Sequence, residues 1–320
     1  MRLKNAALQT VKIVVSLGLI IFLLKRKSPG ELAVYLKNID LLLLTSAVAV
    51  FFLSSLLGAF QWHLLLGAGG VDLRFSATFT YYFVGLFFNN FLPANVGGDA
   101  IKIYDVVKEG SDPHRVFALT LLDRVFGITG LCFLAAVASI IVFPGGTIEN
   151  TGLYLGIFGG LIIAVLAVAF NRKLSGSIRR LSGKIGIWGL GEKIVLVLGH
   201  MGSLRDRKPL FAGVVLLSLV IQTLRIMTHV LVGLALGITL GRIDLVHFFV
   251  FVPLLGLIMI LPISINGLGV RESAGMVLFT QVGIQEELAV LMEFVTYAVQ
   301  VAVSLIGAVF FFIRKRSGKD

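Results

Sequence analysis

Eight charged side chains, Asp99, Lys102, Asp123, Arg124, Arg225, Arg271, Glu272 and Glu293, fall within or beside strongly apolar runs of this chain. Each costs several kcal/mol at the centre of a bilayer unless it is paired or hydrated. Four are acids and four are bases, a balance that points to an internal polar network facing a cavity rather than to scattered snorkelling residues. The bases Lys102, Arg124, Arg225 and Arg271 have the chemistry to attract a phosphate, and the acids Asp99, Asp123, Glu272 and Glu293 have the chemistry to hold those bases in place. Asp123 and Arg124 are adjacent, so on a helix they point about 100° apart and each needs a partner on another helix. Arg225 and His229 lie one turn apart with Gln222 on the same side, a polar stripe for a bundle interior. His229 reads as a hydrogen-bonded core histidine before it reads as a proton carrier.

The elements that position these groups are two interrupted apolar runs. Leu92-Pro93-Ala94-Asn95-Val96-Gly97-Gly98-Asp99-Ala100-Ile101-Lys102 and Leu261-Pro262-Ile263-Ser264-Ile265-Asn266-Gly267-Leu268-Gly269-Val270-Arg271-Glu272 resemble worn copies of one another. Pro93 and Pro262 each remove a backbone donor, and Gly97, Gly98, Gly267 and Gly269 loosen the backbone beyond each proline. Backbone groups freed at membrane depth survive only when buried in protein or lining a wet cavity. Helices broken at matching places in two halves are the mark of transporters that bind substrate near the midplane. A short helix starting after each glycine pair would also aim its positive dipole end at a phosphate.

With 57% hydrophobic residues, 14% charged residues and a mean hydropathy of +0.98, the chain holds more apolar surface than one soluble core buries. Spans are predicted near 8–24, 41–66, 75–92, 117–143, 152–170, 210–240, 245–262 and 287–313, about eight in all, since about 20 apolar residues cross the hydrocarbon region. Period-2 alternation is absent, so the fold class is all-α and polytopic, a single transmembrane domain over 1–320. Its first half covers about 1–170 with a broken segment at 92–112. Its second covers about 209–316 with a broken segment at 261–284, and a basic loop at 171–208 joins them. The basic loop and the tail Arg314-Lys315-Arg316 both read as cytoplasmic, and 144–151 carries no Lys or Arg. Three runs between loop and tail leave the tail on the wrong side, so a further crossing between Pro262 and Gln285 is expected; the stretch after Pro93 is the matching candidate if the N-terminus is cytoplasmic, a placement that Lys25, Arg26, Lys27 and Lys37 argue against. Trp62 and His63 read as interfacial anchors, Glu293 as a residue near an interface, and Cys132 as packing.

The net charge of +11 sits beside the spans, so it speaks for anionic lipid head groups and against nucleic acid. No phosphate-binding Gly-rich loop ending in Lys-Ser or Lys-Thr, no metal-type His and Cys cluster and no Gly-x-Ser-x-Gly is present. The expectation is no ATP drive, no cofactor, no metal and no enzyme chemistry.

The Leu-Pro-x-x-x-Gly-Gly-Asp stretch at 92–99, the Asp123-Arg124-Val125-Phe126-Gly127 step and Leu-Pro-x-Ser-x-Asn-Gly-Leu-Gly-Val-Arg-Glu at 261–272 resemble the flippase-like transmembrane region of the lysylphosphatidylglycerol synthase (multiple peptide resistance factor) family. The resemblance runs over nearly the whole chain, and the third motif is its most specific part. It implies movement of lipids, notably aminoacylated phosphatidylglycerol, between leaflets. The full-length synthases continue into a soluble tRNA-dependent transferase domain, which this chain is expected to lack. Arg124, Arg271 and Glu272 match the motifs as they stand, whereas Lys102 stands where the resemblance leads one to expect arginine, a less directional phosphate ligand. The expected function is therefore a multi-pass lipid translocator of the plasma (inner) membrane. Lys102, Arg124, Arg225 and Arg271 take the head group of an anionic phospholipid or lipid-linked phosphate, and Asp99, Asp123, His229, Asn266, Glu272 and Glu293 support them. A lipid-synthesis enzyme stands as a candidate partner. The alternatives are an intramembrane transferase acting on a polyprenyl phosphate substrate and a scaffold for lipid-synthesis enzymes.

Overall fold

The computed structural model of the protein describes residues 35–90, 97–143, 151–170, 176–177, 190–239, 245–260 and 267–317. The predicted span at 8–24, and Pro93, Pro262 and Asn266, lie outside the described residues. All regular structure among the described residues is helical, as composition requires. Helix α1 (Leu41–Ala68) starts at Asp40, whose carboxylate accepts the Leu42 and Leu43 amides. A short turn leads to α2 (Phe75–Asn89), then α3 (Gly97–Lys108) and α4 (Pro113–Val142), the last capped by Asp112 with Pro113 in its first turn. Next come α5 (Thr151–Phe170) and α6 (Leu190–Asp206). The chain ends in α7 (Lys208–Ala235), α8 (Leu245–Ile258), α9 (Val270–Thr280) and α10 (Glu286–Ser317). Helices α1, α4, α7 and α10 are long and apolar enough to cross a membrane; α5 and α8 are shorter apolar helices.

The helices within the runs expected as spans at 75–92 and 245–262 are too short to cross on their own. Helix α2 has 15 residues and α3 has 12, about 22 and 18 Å at about 1.5 Å per residue, short of the roughly 30 Å hydrocarbon core. They lie antiparallel: Gly85 packs on Lys102, the Gly98 amide donates to Asn89 Oδ1 at 2.8 Å, and Tyr81 donates to Glu109 at 2.7 Å. Helices α8 and α9 do the same, with Phe248 and Phe251 against Phe279 near the mouth and Met259 against Gly267 and Arg271 near the tip. Each pair of short helices is therefore an antiparallel hairpin whose open ends share one face, with the joining residues 91–96 and 261–266 outside the described residues. This removes the parity conflict, since two crossings, α7 and α10, return the tail to the face where α7 starts.

The order long helix, hairpin, long helix occurs twice, with lengths of 28, 15, 12 and 30 residues in α1–α4 and 28, 14, 11 and 32 in α7–α10. The equivalent helices α1 and α7 run antiparallel: the Asp40 amide donates to the Ala235 carbonyl at 3.0 Å, and Ser218 donates to Gln61 at 2.7 Å. The two halves are thus inverted repeats, and their hairpins enter from opposite faces. One face gathers Arg74, Lys108, Arg115, Arg207 and Arg314, where Arg314 pairs with Asp105 at 2.9 Å and lies over Tyr81. The opposite face holds Lys37, Asp40 and Glu286, and there Tyr35 donates to Gln285.

Two expectations need correction. Residues 190–206, read as part of a loop, form α6, whose Val197, Met201 and Leu204 pack against Leu65, Ala118, Leu122 and Val214 at the basic face. Charged residues interleaved with a one-sided apolar stripe hid an amphipathic helix. Trp62, read as an interfacial anchor, is fully buried and donates its indole N–H to Thr120 Oγ1 at 3.1 Å. Cys132 is buried, as packing requires.

The hairpin topology predicts a labelling pattern. With Cys132 replaced by Ala, single cysteines at the exposed positions Arg74 and Lys108 should react with a membrane-impermeant maleimide from one side of a sealed vesicle, and cysteines at Lys37 and Gln285 from the other. Labelling of Arg74→Cys and Lys108→Cys from opposite sides would mean that α2 and α3 cross.

Candidate functional site

Behind the tip of the first hairpin, Asp99 sits in the first turn of α3 between two bases. Its carboxylate accepts from Lys102 Nζ at 2.9 Å and from Arg124 Nε on α4. Lys102 is 6% exposed, and its ammonium lies 4.9 Å from the centre of the Trp62 ring and 4.8 Å from that of Tyr82. Two ring faces and a carboxylate replace its water shell. Gly85 leaves the space its stem occupies, because a Cβ there would press on Lys102 Cγ. Asp123 accepts from Gln61 Nε2 at 2.8 Å, and Lys102 and Arg225 bear on it electrostatically. Adjacent Asp123 and Arg124 thus find partners on α1 and α3, as their 100° separation demands.

Behind the second tip, Arg271 is 2% exposed, donates to Gln300 at 3.2 Å and to the Met259 sulfur, and lies over the Tyr297 ring. Glu272 accepts the Gly269 amide at 2.7 Å, the carboxylate half of a capping box, while the glycine N-cap has no side chain to supply the other half. The Gly269 amide at the start of α9 is thus served by the protein's own carboxylate, and the Gly98 amide of α3 by Asn89. Glu293, expected near an interface, is 0% exposed; His229 Nε2 lies 3.6 Å from its Oε2. The opposite ring nitrogen of His229 lies 3.1 Å from the Arg225 carbonyl.

The four bases expected to act together thus form two clusters joined through one turn of α7. Lys102, Arg124 and Arg225 gather around Asp99 and Asp123; Arg271 bears on its neighbour Glu272, which in turn bears on Glu293 beside His229. Arg124, with its side chain 32% exposed, is the most open base of the first cluster to pair with Asp99, since Lys102 is covered. Sequence reasoning missed Gln61, Trp62, Tyr82, Tyr297 and Gln300. A signal existed for the last two: Glu293, Tyr297, Gln300 and Ser304 repeat at helical spacing on one face of α10, and Ser304 accepts from Asn90 at the first hairpin tip.

A cavity of about 450 Å³ opens away from these clusters, at the basic face, where Ala68, Gly69, Arg115, Gly199, His200 and Arg207 line it. Burial, and then the Arg115 charge, hold the His200 imidazole below its ordinary pKa, so at neutral pH its positive potential comes from the two arginines.

Inverted repeats carrying opposed helical hairpins, with buried charge behind both tips, define a multi-pass membrane protein. More particularly, residues 9–307 match the family described as the lysylphosphatidylglycerol synthase TM region, and the chain belongs to that family. It is similar to a UPF0104 membrane protein of Methanothermobacter thermautotrophicus, 25% identical over 89% of this chain and 87% of the relative. It is also similar to UPF0104 membrane protein PH1989 of Pyrococcus horikoshii, 24% identical over 78% of this chain and 80% of the relative. Glycosyltransferase AglD of Haloferax volcanii is 24% identical over 88% of this chain, which spans 50% of that protein. No solved structure matches the chain.

Proposed function

We propose that the protein moves an anionic phospholipid or lipid-linked phosphate between the leaflets of the plasma membrane, with its basic face cytoplasmic. The observation that carries this reading is the pair of hairpins inserted from opposite faces, the first with Lys102 and Arg124 held behind its tip by Asp99, the second with Arg271 held by Gln300, Met259 and the Tyr297 ring. Arg124 is the group best placed to donate to a phosphate, because Asp99 orients its guanidinium while a third of the side chain stays open. Lys102 and Arg225 add positive potential from behind. The arginine-lined cavity at the basic face collects anionic head groups before they reach the core. Acyl chains stay in the bilayer, and rocking of one repeat against the other exposes the head-group site to each leaflet in turn.

Purified protein in liposomes should accelerate leaflet exchange of labelled phosphatidylglycerol over phosphatidylcholine. Arg124→Gln should slow that exchange by about 10- to 100-fold, the loss of one charge-assisted hydrogen bond. Equal acceleration of both lipids by wild type and variant would remove Arg124 from the site. A transferase reading draws on the glycosyltransferase relative AglD; it would add a donor pocket and a base poised against it. Turnover of a polyprenyl phosphate sugar without leaflet exchange would favour it.

A further inference from the structure

The inverted repeat places the same joint twice and fills it differently. Trp62 and His229 each stand twenty-second in their helices, α1 and α7, and Thr120 and Glu293 each stand eighth in α4 and α10. The first half ties these positions with a neutral indole-to-hydroxyl hydrogen bond. The second half places an imidazole and a carboxylate there, 3.6 Å apart. The architecture is served by the neutral pair, so the titratable pair calls for another reason.

Its protonation is dictated by geometry. The Arg225 carbonyl can only accept, so the His229 Nδ1 beside it carries the hydrogen. In a neutral ring Nε2 is then a bare acceptor, and it faces a carboxylate oxygen. Among the described residues, neither Glu293 oxygen has a hydrogen-bond donor, and Oε1 of Glu272 has none either. Acceptor against acceptor in a dry interior is repulsive, and one proton shared by His229 and Glu293 relieves it. The charged groups around the pair are few. Helix α9 brings Glu272, which bears on Glu293 directly, and Arg271; α7 adds Arg225 one turn away. Helices α1 and α2, which also pack on α10, contain no Asp, Glu, Lys or Arg.

A charge count extends the point to both clusters. With every carboxyl counted as ionised and His229 as neutral, Asp99 and Asp123 with Lys102, Arg124 and Arg225 sum formally to +1, and Glu272 and Glu293 with the neighbouring Arg271 to −1. The tip segments 91–96 and 261–266 contain no acid or base to change either sum. The first cluster is one anion short of neutrality and the second is one proton short. With both sites empty or both filled the interior is neutral, whereas filling one alone leaves an uncompensated charge at membrane depth.

We propose that the His229–Glu293 pair is a proton-binding site and that one proton travels with each monoanionic phosphate head group, an electroneutral symport. The proposal rests on the translocation reading for its cargo. At one proton per lipid, each unit of pH difference supports about a tenfold enrichment of the anionic lipid in the leaflet on the alkaline side.

The test uses liposomes holding a trapped pH dye and labelled phosphatidylglycerol, with imposed pH or potassium-valinomycin gradients. Lipid accumulation that follows the pH gradient, ignores membrane potential and acidifies the receiving compartment supports the proposal; in Glu293→Gln the dependence on pH gradient should vanish. Accumulation that follows potential, or exchange with no proton movement in wild type, overturns it. Absence of any lipid exchange would defeat the translocation reading, and the proton site is then judged on its own by nitrogen NMR of histidine-labelled protein. A His229 ring protonated on both nitrogens near neutral pH in wild type, and on Nδ1 alone in Glu293→Gln, supports the site. A ring protonated on one nitrogen in both, with no acid-form carboxyl signal for Glu293 in the infrared spectrum, overturns it.

Discussion

Asp99→Ala is expected to lower stability by about 3–5 kcal/mol, the cost of removing one partner from a buried ion pair. The cost arises because Lys102 and Arg124 would lose the carboxylate they share, and Lys102 has no water to replace it. The rings of Trp62 and Tyr82 offset part of an ammonium's desolvation but accept no hydrogen bond of carboxylate strength. If uncompensated charge is the cause, removing the second charge should recover stability. Asp99→Ala with Lys102→Met should regain at least half of the loss, since methionine fills the same channel between Gly85 and the rings, and Arg124 is open enough to hydrate. Thermal unfolding in detergent micelles for wild type, single and double variants decides the matter. Equal losses in single and double variants would mean that Asp99 acts through hairpin geometry rather than through charge. Anionic-lipid exchange should stay low in the double variant even as stability returns, because Asp99 no longer aims Arg124.

The breaks at Pro93 and Pro262 stood out in the sequence because proline and paired glycines are conspicuous inside apolar runs. What the breaks do was hidden, since 75–92 and 245–262 are long enough to be drawn as spans when the tip residues are counted with the limbs. The trace of the hairpins was the parity conflict between two basic segments, a charge signal rather than a hydropathy signal. The repeat was visible at its tips only; its inverted sense depends on α1 and α7 running antiparallel, which no local pattern encodes. Charged site residues were legible because acids and bases are expensive where they stand. Their neutral partners were not, because Trp62, Tyr82 and Tyr297 are ordinary residues for a membrane protein, and Gln61 has no neighbour in sequence to mark it. The division of the bases into two clusters was also hidden, since it depends on which hairpin each helix faces.

Gly307→Ala should destabilise the protein by about 1–3 kcal/mol, although alanine is the better helix former. A Cβ at Gly307 on α10 would overlap the Phe83 carbonyl of α2, and the same Cβ would lie 2.9 Å from the Val84 nitrogen. Those atoms are backbone, so no rotamer change relieves the clash; α2 must move away from α10. On its other side α2 meets α3 just as closely, because a Cβ at Gly98 would overlap the Gly85 carbonyl. The first hairpin is therefore set by two glycine contacts in series, the small-residue packing that brings membrane helices together. Displacing α2 carries Asn90 away from Ser304 and α3 away from α4, so Asp99 should lose Arg124 and anionic-lipid exchange should fall along with stability. Gly160→Ala is the control, since nothing lies within 4 Å of the added Cβ on α5. There the propensity gain, up to about 1 kcal/mol, should appear unopposed. Opposite signs at the two positions, measured by unfolding in the same micelles, separate backbone contact from helix propensity. Matching signs would mean that α2 and α10 do not touch as described, and the hairpin would then owe its position to the Asp99 ion pairs alone.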